Sequence, residues 1–509
     1  MSFIRYKKIG NKEYTYEVTS YYDRVKKVPA QKSKYLGQVV NRERKEFIRP
    51  GNVSMKHEKL MLDLGDSYFL IKFMEKRMKD VYDFTVKNNV LPLILYRILG
   101  KTSMRRAGIW YEGNIARYLA PGDMISQRIS ELLVRFGEES TLRDFYKMYL
   151  TQPEEGISID TTALPNQIDL EMTQWGYSSE TMDEEIKLIL VMDRKGNGPL
   201  YFRYIPGSIM DVSTLSATNS EMEKLGIKPG LSIMDAGFFS EGNIRSMMEK
   251  KIDFLIRVPA NRVIYHDLVE SAADIENPGK AVKYGNRIMF ISSSRAEFAD
   301  HAVFTHLVLD PERRGRELRR YMLKHMDDYD PFAVKRKGFM VLMSSQSVDR
   351  DQLIPLYYTR QFVEKAYSYS RDDLSLLPLR VHGEEALRGY LFIIFPSLIV
   401  YMEVQKEIGS VEMAFDTLRN LKCKVFDKEI VIQELTSDQK KLFEKIGVIV
   451  PNTMGIQEIV LTLYLLTLVT KIRHPCSGCL NVIGSGTVSI MFNGIETRRV
   501  VPRILMGGL

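Results

Sequence analysis

The sequence predicts an α/β fold, a mixed β-sheet covered by helices, on three observations. Two short apolar runs, Ile157-Ser158-Ile159-Asp160 and Leu231-Ser232-Ile233-Met234-Asp235, each read as a strand that delivers an aspartate at its exit. Between them, 186–193 and 199–205 are strand-like runs joined by the Gly-containing turn Arg194-Lys195-Gly196-Asn197-Gly198, which makes a hairpin. Downstream, Tyr357, Arg360 and Glu364 recur at helical spacing and so share one side of a helix, with Arg371 two turns further along the stripe and Phe362, Val363 and Ala366 apolar beside it. Such a stripe also fits a solvated face with an ion pair; a carboxylate flanked by cations equally suits a site that handles metal and phosphate.

Taken along the chain, 1–50 is a basic, β-rich N-terminal domain. It holds thirteen Lys and Arg against five Asp and Glu, a surplus equal to the net charge of +8 of the whole 509 residues. Tyr14, Tyr16 and Val18 alternate, which favours a small antiparallel sheet over a helix. Lys26, Lys27, Lys32 and Lys34 are its candidates for contact with a polyanion. Residues 51–150 are helical. Pro121-Gly122 breaks the chain before the amphipathic run 125–133, so this is either a helical hairpin or a helix-turn-helix that would set Gln127 and Arg128 in a major groove.

Residues 151–260 form the first part of the sheet. Gly237 permits a sharp turn after Asp235, Ser240 caps a helix that begins near Glu241, and 252–258 is a further strand. From Asp235 to Glu364 the chain runs 129 residues, too many for a plain connection, so 261–337 is an insertion. Within it 282–292 and 302–309 read as strands and 313–328 as a charged helix carrying Arg313, Arg314, Arg316, Arg319 and Arg320; that run fits a solvated face as well as a DNA contact. The sheet resumes at 338–405, a helix and strand segment follows at 406–455, and 456–509 is an atypical tail whose apolar stretch 459–469 is too short to span a bilayer and reads as a buried helix.

Composition sets the outer bounds. With 45% hydrophobic and 27% charged residues, the chain is that of a soluble protein of more than one domain. Its three cysteines, Cys423, Cys476 and Cys479, supply no closed zinc site, and Gly484-Ser485-Gly486-Thr487 lacks the Lys and spacing of a phosphate-binding loop. Few cysteines and no leader at the amino terminus indicate a cytoplasmic protein without a membrane partner.

The three acid segments together resemble the DDE transposases of insertion sequences, in the insertion-sequence-four superfamily and closest to its sixteen-thirty-four group. Tyr357, Arg360 and Glu364 match that family's Tyr-x2-Arg-x3-Glu-x6-Lys signature, with Arg371 where the Lys is expected, a planar fork in place of a point charge. Pro206-Gly207-Ser208-Ile209-Met210-Asp211 looks like its Pro-Gly-Asn-x2-Asp loop, and Asp235-Ala236-Gly237-Phe238-Phe239-Ser240 like its Asp-Arg-Gly-Tyr-Phe-Ser segment with Ala236 for the Arg. Arg380-Val381-His382 and 388–393 resemble the stretch after its glutamate helix, and the likeness covers roughly 1–455.

The resemblance implies a ribonuclease H-like mixed sheet flanked by helices, with a β-rich insertion before the glutamate helix. It implies a cut-and-paste transposase that cleaves strands at the terminal repeats of its own element and joins the freed 3' hydroxyl to target DNA, working as a homodimer on double-stranded DNA. Asp160, Asp235 and Glu364 would be both catalytic residues and ligands of two Mg2+ or Mn2+ ions, with Asp160 between them, because carboxylates are the donors such hard ions prefer. Tyr357, Arg360 and Arg371 would position phosphate, and Lys26, Lys27, Lys32, Lys34, Arg128, Arg313, Arg314 and Arg319 are the outlying DNA-binding candidates. The rival readings are an inactive DNA-binding descendant and a structure-selective nuclease on the same core.

Overall fold

The computed structural model describes residues 2–9, 12–23, 28–41, 46–48, 59–153, 155–166, 168–178, 181–195, 198–457, 459, 487–492 and 495–500. Strands β1 (Ser2–Ile9), β2 (Lys12–Asp23), β3 (Val28–Asn41) and β4 (Glu46–Ile48) pair in that order as an antiparallel sheet. A register shift between Thr15 and Tyr16 interrupts the alternation of β2: Thr15 and Val18 are buried, while Tyr14 and Tyr16 pack on Tyr35 with ring centroids 6.2 and 5.3 Å away. Lys32 and Lys34 stand exposed on β3; Lys26 and Lys27 lie outside the described residues.

After β5 (Leu60–Asp63) come seven helices, α1 (Gly65–Arg77), α2 (Lys79–Lys87), α3 (Leu91–Gly100), α4 (Ala107–Glu112), α5 (Ala116–Leu119), α6 (Ser126–Phe136) and α7 (Glu139–Tyr149). The central unit then runs β6 (Ile157–Pro165), β7 (Gln174–Ser178), β8 (Thr181–Asp193), β9 (Pro199–Pro206), α8 (Asp211–Lys224), β10 (Leu231–Met234), α9 (Glu241–Glu249), β11 (Asp253–Val258) and α10 (Val263–Glu270). It continues through β12 (Ala281–Tyr284), β13 (Arg287–Phe298), β14 (His301–Leu309), α11 (Pro311–His325), α12 (Pro331–Lys335), β15 (Phe339–Ser344), α13 (Arg350–Tyr358), α14 (Gln361–Ser368) and α15 (Glu384–Ile408). Last are α16 (Val411–Arg419), β16 (Lys422–Val425), β17 (Glu429–Ile432), α17 (Ser437–Lys445), β18 (Thr453–Gly455), and the hairpin β19 (Thr487–Phe492) and β20 (Ile495–Val500).

One mixed sheet of ten strands organises the middle of the chain, in the order β12-β13-β14-β15-β11-β10-β6-β8-β7, with β9 also on the far edge of β8. The hairpin β8–β9 is antiparallel, β6 pairs antiparallel with β8, and β10 lies parallel to both β6 and β11. Helices cover both faces of the parallel centre, which is why 231–234 and 253–258 are almost unbroken apolar runs.

Three details differ from the expectation. The run 282–292 is two strands, because Gly285 adopts φ +59 and turns β12 back on β13. Strand β7, whose Gln-Trp-Gly-Tyr-Ser composition carries no clear alternation, extends the edge of the sheet. The strands of 261–337 pair onward through β15 into the same sheet, so the insertion lengthens it.

Helix α15 is the one described helix long and apolar enough to cross a membrane, and 89% of its apolar window is buried inside the fold, as in a core helix. It packs on α6 through two glycines: a Cβ on Gly389 would overlap the Leu133 carbonyl oxygen, and one on Gly137 the Glu385 carbonyl oxygen. This contact takes the apolar face of α6, Ile129, Leu133 and Phe136, and leaves Arg128 outside, paired with Glu131 at 2.6 Å. Strand β16, bearing the buried Cys423, pairs with β5, so the beginning of the helical segment and 406–455 form one sheet, β18-β17-β16-β5. The expected metal-free pair Cys476 and Cys479, and all of the apolar stretch 459–469 beyond its first residue, lie outside the described residues.

Gly389→Ala tests the helix contact. Ala favours a helix by about 1 kcal/mol over Gly, yet the added methyl meets backbone that cannot rotate away. The variant should lose about 1–3 kcal/mol net in urea unfolding.

Candidate active site

Strands β6 and β10 run parallel with Ser158 beside Ile233 and Ile159 beside Met234. The ladder stops there, and the next residue on each strand is an acid, Asp160 or Asp235. Asp235 sits at the exit of its strand as expected, because the chain turns at once into a short 3-10 segment, Ala236–Phe238. Asp160 does not: β6 continues to Pro165, held by β8 on its other edge. The acid therefore marks the end of the parallel pairing and not the end of the strand. Ser240 caps α9 by accepting from the Asn243 N–H at 3.1 Å, which fixes the turn after Asp235.

The stripe from Tyr357 to Arg371 is not one continuous helix. The N–H groups of Thr359, Arg360, Phe362 and Val363 bond to carbonyls three residues back, so the chain tightens between α13 and α14 and breaks the regular ladder. After α14 comes one π turn, Tyr369–Asp373, which shifts the phase again. Tyr357, Arg360 and Glu364 nevertheless converge on the two aspartates. Tyr357 donates its hydroxyl to Asp235 Oδ1 at 3.2 Å. Arg360 Nη2 lies 3.3 Å from Asp235 Oδ2, 3.5 Å from Asp160 Oδ2 and 3.1 Å from Glu364 Oε1. A single guanidinium nitrogen thus touches all three carboxylates.

Arg371 is placed elsewhere. The π turn carries it alongside β6, where its Nη2 donates to Thr162 Oγ1 and to the Ala163 carbonyl at 3.3 Å. It stays near the strand of Asp160 and apart from the acids themselves. Of the outer candidates, Arg313 is paired with Glu317 at 2.6 Å and Arg314 with Glu276 at 3.4 Å, while Arg319 is exposed.

Burial dominates the electrostatics. It pushes the Asp160 carboxyl up to about 6, with repulsion from Asp235 and Glu364 adding to the rise and Arg360 and the Thr161 N–H opposing it. Burial likewise raises the Tyr357 phenol, helped by Asp235 beside it, so it stays a donor. Burial works against the charge of Arg360, and Asp235 and Asp160 more than restore it. The Arg360 side chain is only 12% exposed against 55% for Glu364, which makes Glu364 the outermost of the four.

Tyr367 escaped the sequence reading, and Asp211 entered it only as the last residue of the 206–211 loop. Tyr367, three positions after Glu364 and fully inside, directs its hydroxyl at the Asp160 carbonyl (2.7 Å) and the Leu188 carbonyl (3.0 Å), fastening α14 to the strands beneath. Its spacing from Glu364 was the available signal. Asp211 lies under the turn that carries Asp235, so close that a Cβ on Gly237 would stand 2.9 Å from its Oδ2; burial raises its carboxyl, against the pull of Lys187.

Carboxylate oxygens are suitable donors for a hard divalent cation. Here they face Arg360 instead of one another, and among the described residues no set of three His, Cys, Asp or Glu is arranged to hold an ion. The donor chemistry fits; seating an ion would require the guanidinium to withdraw from the focus it now occupies.

Residues 151–402 match the family described as "Transposase DDE domain". No curated protein matches the chain. Among solved structures, the cryo-EM structure of the piggyBac transposase synaptic complex with hairpin DNA is similar at a TM-score of 0.37 and 13% identity, covering 79% of this chain and 82% of that one. The matched segment begins before β6 and ends within α15, so it contains every residue of the cluster.

Two variants probe the cluster. Arg360→Gln leaves three crowded carboxylates without their counter-charge and should cost about 3 kcal/mol at pH 8, less at pH 5 as protonation relieves the repulsion, by urea unfolding at each pH. Asp160→Asn should behave in the opposite sense. The folded protein holds the Asp160 proton more tightly than the unfolded chain does, so wild type loses stability as pH rises from about 4 to about 6. The variant's melting temperature should exceed that of wild type at pH 8, and the gap should close toward pH 4.

Proposed function

We propose that the protein is a transposase that cuts DNA at the terminal inverted repeats of an insertion sequence and joins the freed 3' ends to target DNA. One observation carries the reading beyond the family match: carboxylates from two strands and a distant helix meet at a single guanidinium nitrogen. Ordinary surface ion pairs join two groups; a three-acid convergence on neighbouring elements is the arrangement that phosphodiester chemistry uses.

Asp160, Asp235 and Glu364 would hold two Mg2+ or Mn2+ ions, which when bound polarise the phosphate and activate the attacking oxygen. Arg360, released from the acids, turns its donors to a phosphate oxygen, and its planar fork suits that ligand. Tyr357 keeps Asp235 oriented through the hydroxyl it donates. Tyr367 holds α14 against β6, so Glu364 keeps its height above the aspartates. Arg371 approaches the same strand two residues beyond Asp160 and would steady the flanking phosphate.

The strand order β9-β8-β6-β10-β11, an antiparallel hairpin leading into parallel strands, supports a ribonuclease H-like core. Membership of the insertion-sequence-four superfamily, in or near its sixteen-thirty-four group, rests on the Tyr-x2-Arg-x3-Glu spacing. The basic β1–β4 sheet is the proposed DNA-end binder, and pairing of two ends calls for a homodimer.

Incubation with duplex DNA carrying the repeats that flank the coding region, in Mg2+ or Mn2+, tests the proposal. Wild type should cleave and join strands. Asp160→Asn, Asp235→Asn and Glu364→Gln should each lower the cleavage rate by about 10³-fold while still retarding the DNA in a gel. Cleavage undiminished in any of the three would remove that residue from the chemistry, and cutting indifferent to the repeats would favour a structure-selective nuclease.

A further inference from the structure

A second concentration of charge lies outside the acid cluster. A cavity of about 850 Å³ opens between the 100–106 turn with α6 on one wall and residues 375–382 with the start of α15 on the other. Its lining includes Arg97, Lys101, Arg105, Arg106, Arg380 and His382, and no Asp or Glu.

These cations differ in what they do. Arg97, 2% exposed, is a structural tie: its guanidinium donates to the carbonyls of Leu374 (3.1 and 2.8 Å), Ser375 (2.9 Å) and Thr102 (3.3 Å), joining the two walls. Lys101 at the rim is balanced by Asp373 at 3.4 Å and Glu412 at 3.9 Å. Arg105, Arg106 and Arg380 are exposed, and among the described residues none of them pairs with a carboxylate. Three uncompensated guanidinium groups around one concavity focus a positive field on it, and the hydroxyl of Ser126 adds a neutral donor beside them.

The cavity also connects to the acids through the chain. Arg371 touches Thr162 and Ala163, just past Asp160 on β6, and Asp373, two residues later in the same π turn, grips Lys101 at the cavity rim. The π turn therefore links the strand of Asp160 to the rim of this basin.

We infer that the basin bounded by Arg105, Arg106 and Arg380 binds the phosphate backbone of double-stranded DNA that flanks the cleavage point. Its size and its three separate free cations suit successive phosphates of a polyanion better than one small anion. The choice of DNA rests on the proposed function.

The test is equilibrium binding of a blunt duplex of arbitrary sequence over a salt series, followed by fluorescence anisotropy. Each phosphate contact contributes about 0.9 to the slope of log K against log salt. The triple variant Arg105→Gln, Arg106→Gln, Arg380→Gln should lower the wild-type slope by about 2–3, and its unchanged melting temperature would show that the fold is kept. Hydrogen exchange on the unmodified protein gives a readout independent of any variant: the DNA should slow exchange across 102–106 and 375–382. An unchanged slope, or no protection of these segments, overturns the inference, as does stronger protection by a duplex RNA of equal length. The two readings fail separately. Cleavage of repeat-bearing DNA with an unaltered slope leaves the proposed function standing without the basin; protection and a reduced slope without cleavage leave the basin standing without the function.

Discussion

The contact on which the rest of the structure depends is that of the Arg360 guanidinium with Asp160, Asp235 and Glu364. Three carboxylates cannot share a partly buried space unless a positive charge joins them or protons neutralise them. Arg360 supplies that charge from within, and burial leaves Asp160 poised at about 6, near the point where a small change in surroundings alters its ionisation. On the proposed function, a bound divalent cation would take the place of the guanidinium, and stability and reactivity would be set by the same few groups.

The sheet builds this arrangement by ending one ladder early. Parallel pairing between β6 and β10 brings Asp160 and Asp235 level, and β6 then continues on the support of β8 alone. The carboxylates thus stand at an interior step of the sheet. Helix α14 closes over that step, fastened by the Tyr367 hydroxyl to two backbone carbonyls. Where the backbone bonds tighten to three-residue steps between α13 and α14, Tyr357 and Arg360 reach Asp235, and Glu364 meets the same guanidinium.

The helical segment supports this core from behind. Glycines at 137 and 389 let α6 and α15 touch backbone to backbone, and Arg97 ties α3 to the chain just beyond the π turn. These contacts hold residues 375–382 beside 102–106 and so create the cationic basin. Its charge is left uncompensated in the folded protein because the nearby acids, Asp373 and Glu412, are engaged by Lys101 alone.

Sequence alone determined what depends on local pattern. The alternating and apolar runs located the acid strands, and the spacing of Tyr357, Arg360 and Glu364 identified residues that do meet in space, since helical periodicity survives a small kink. The cap at Ser240 and the hairpin after Asp193 were legible for the same reason. What the tertiary structure decided depends on contacts between segments far apart in the chain: Asp160 at a step within a strand, Arg371 turned aside by the π turn, 281–309 joined to the central sheet, and the basin assembled from residues near 100 and near 380. No short window of sequence encodes which strand lies beside which. Packing and hydrogen bonding across hundreds of residues select that, and the charges that packing brings together without partners are the ones left to bind a ligand.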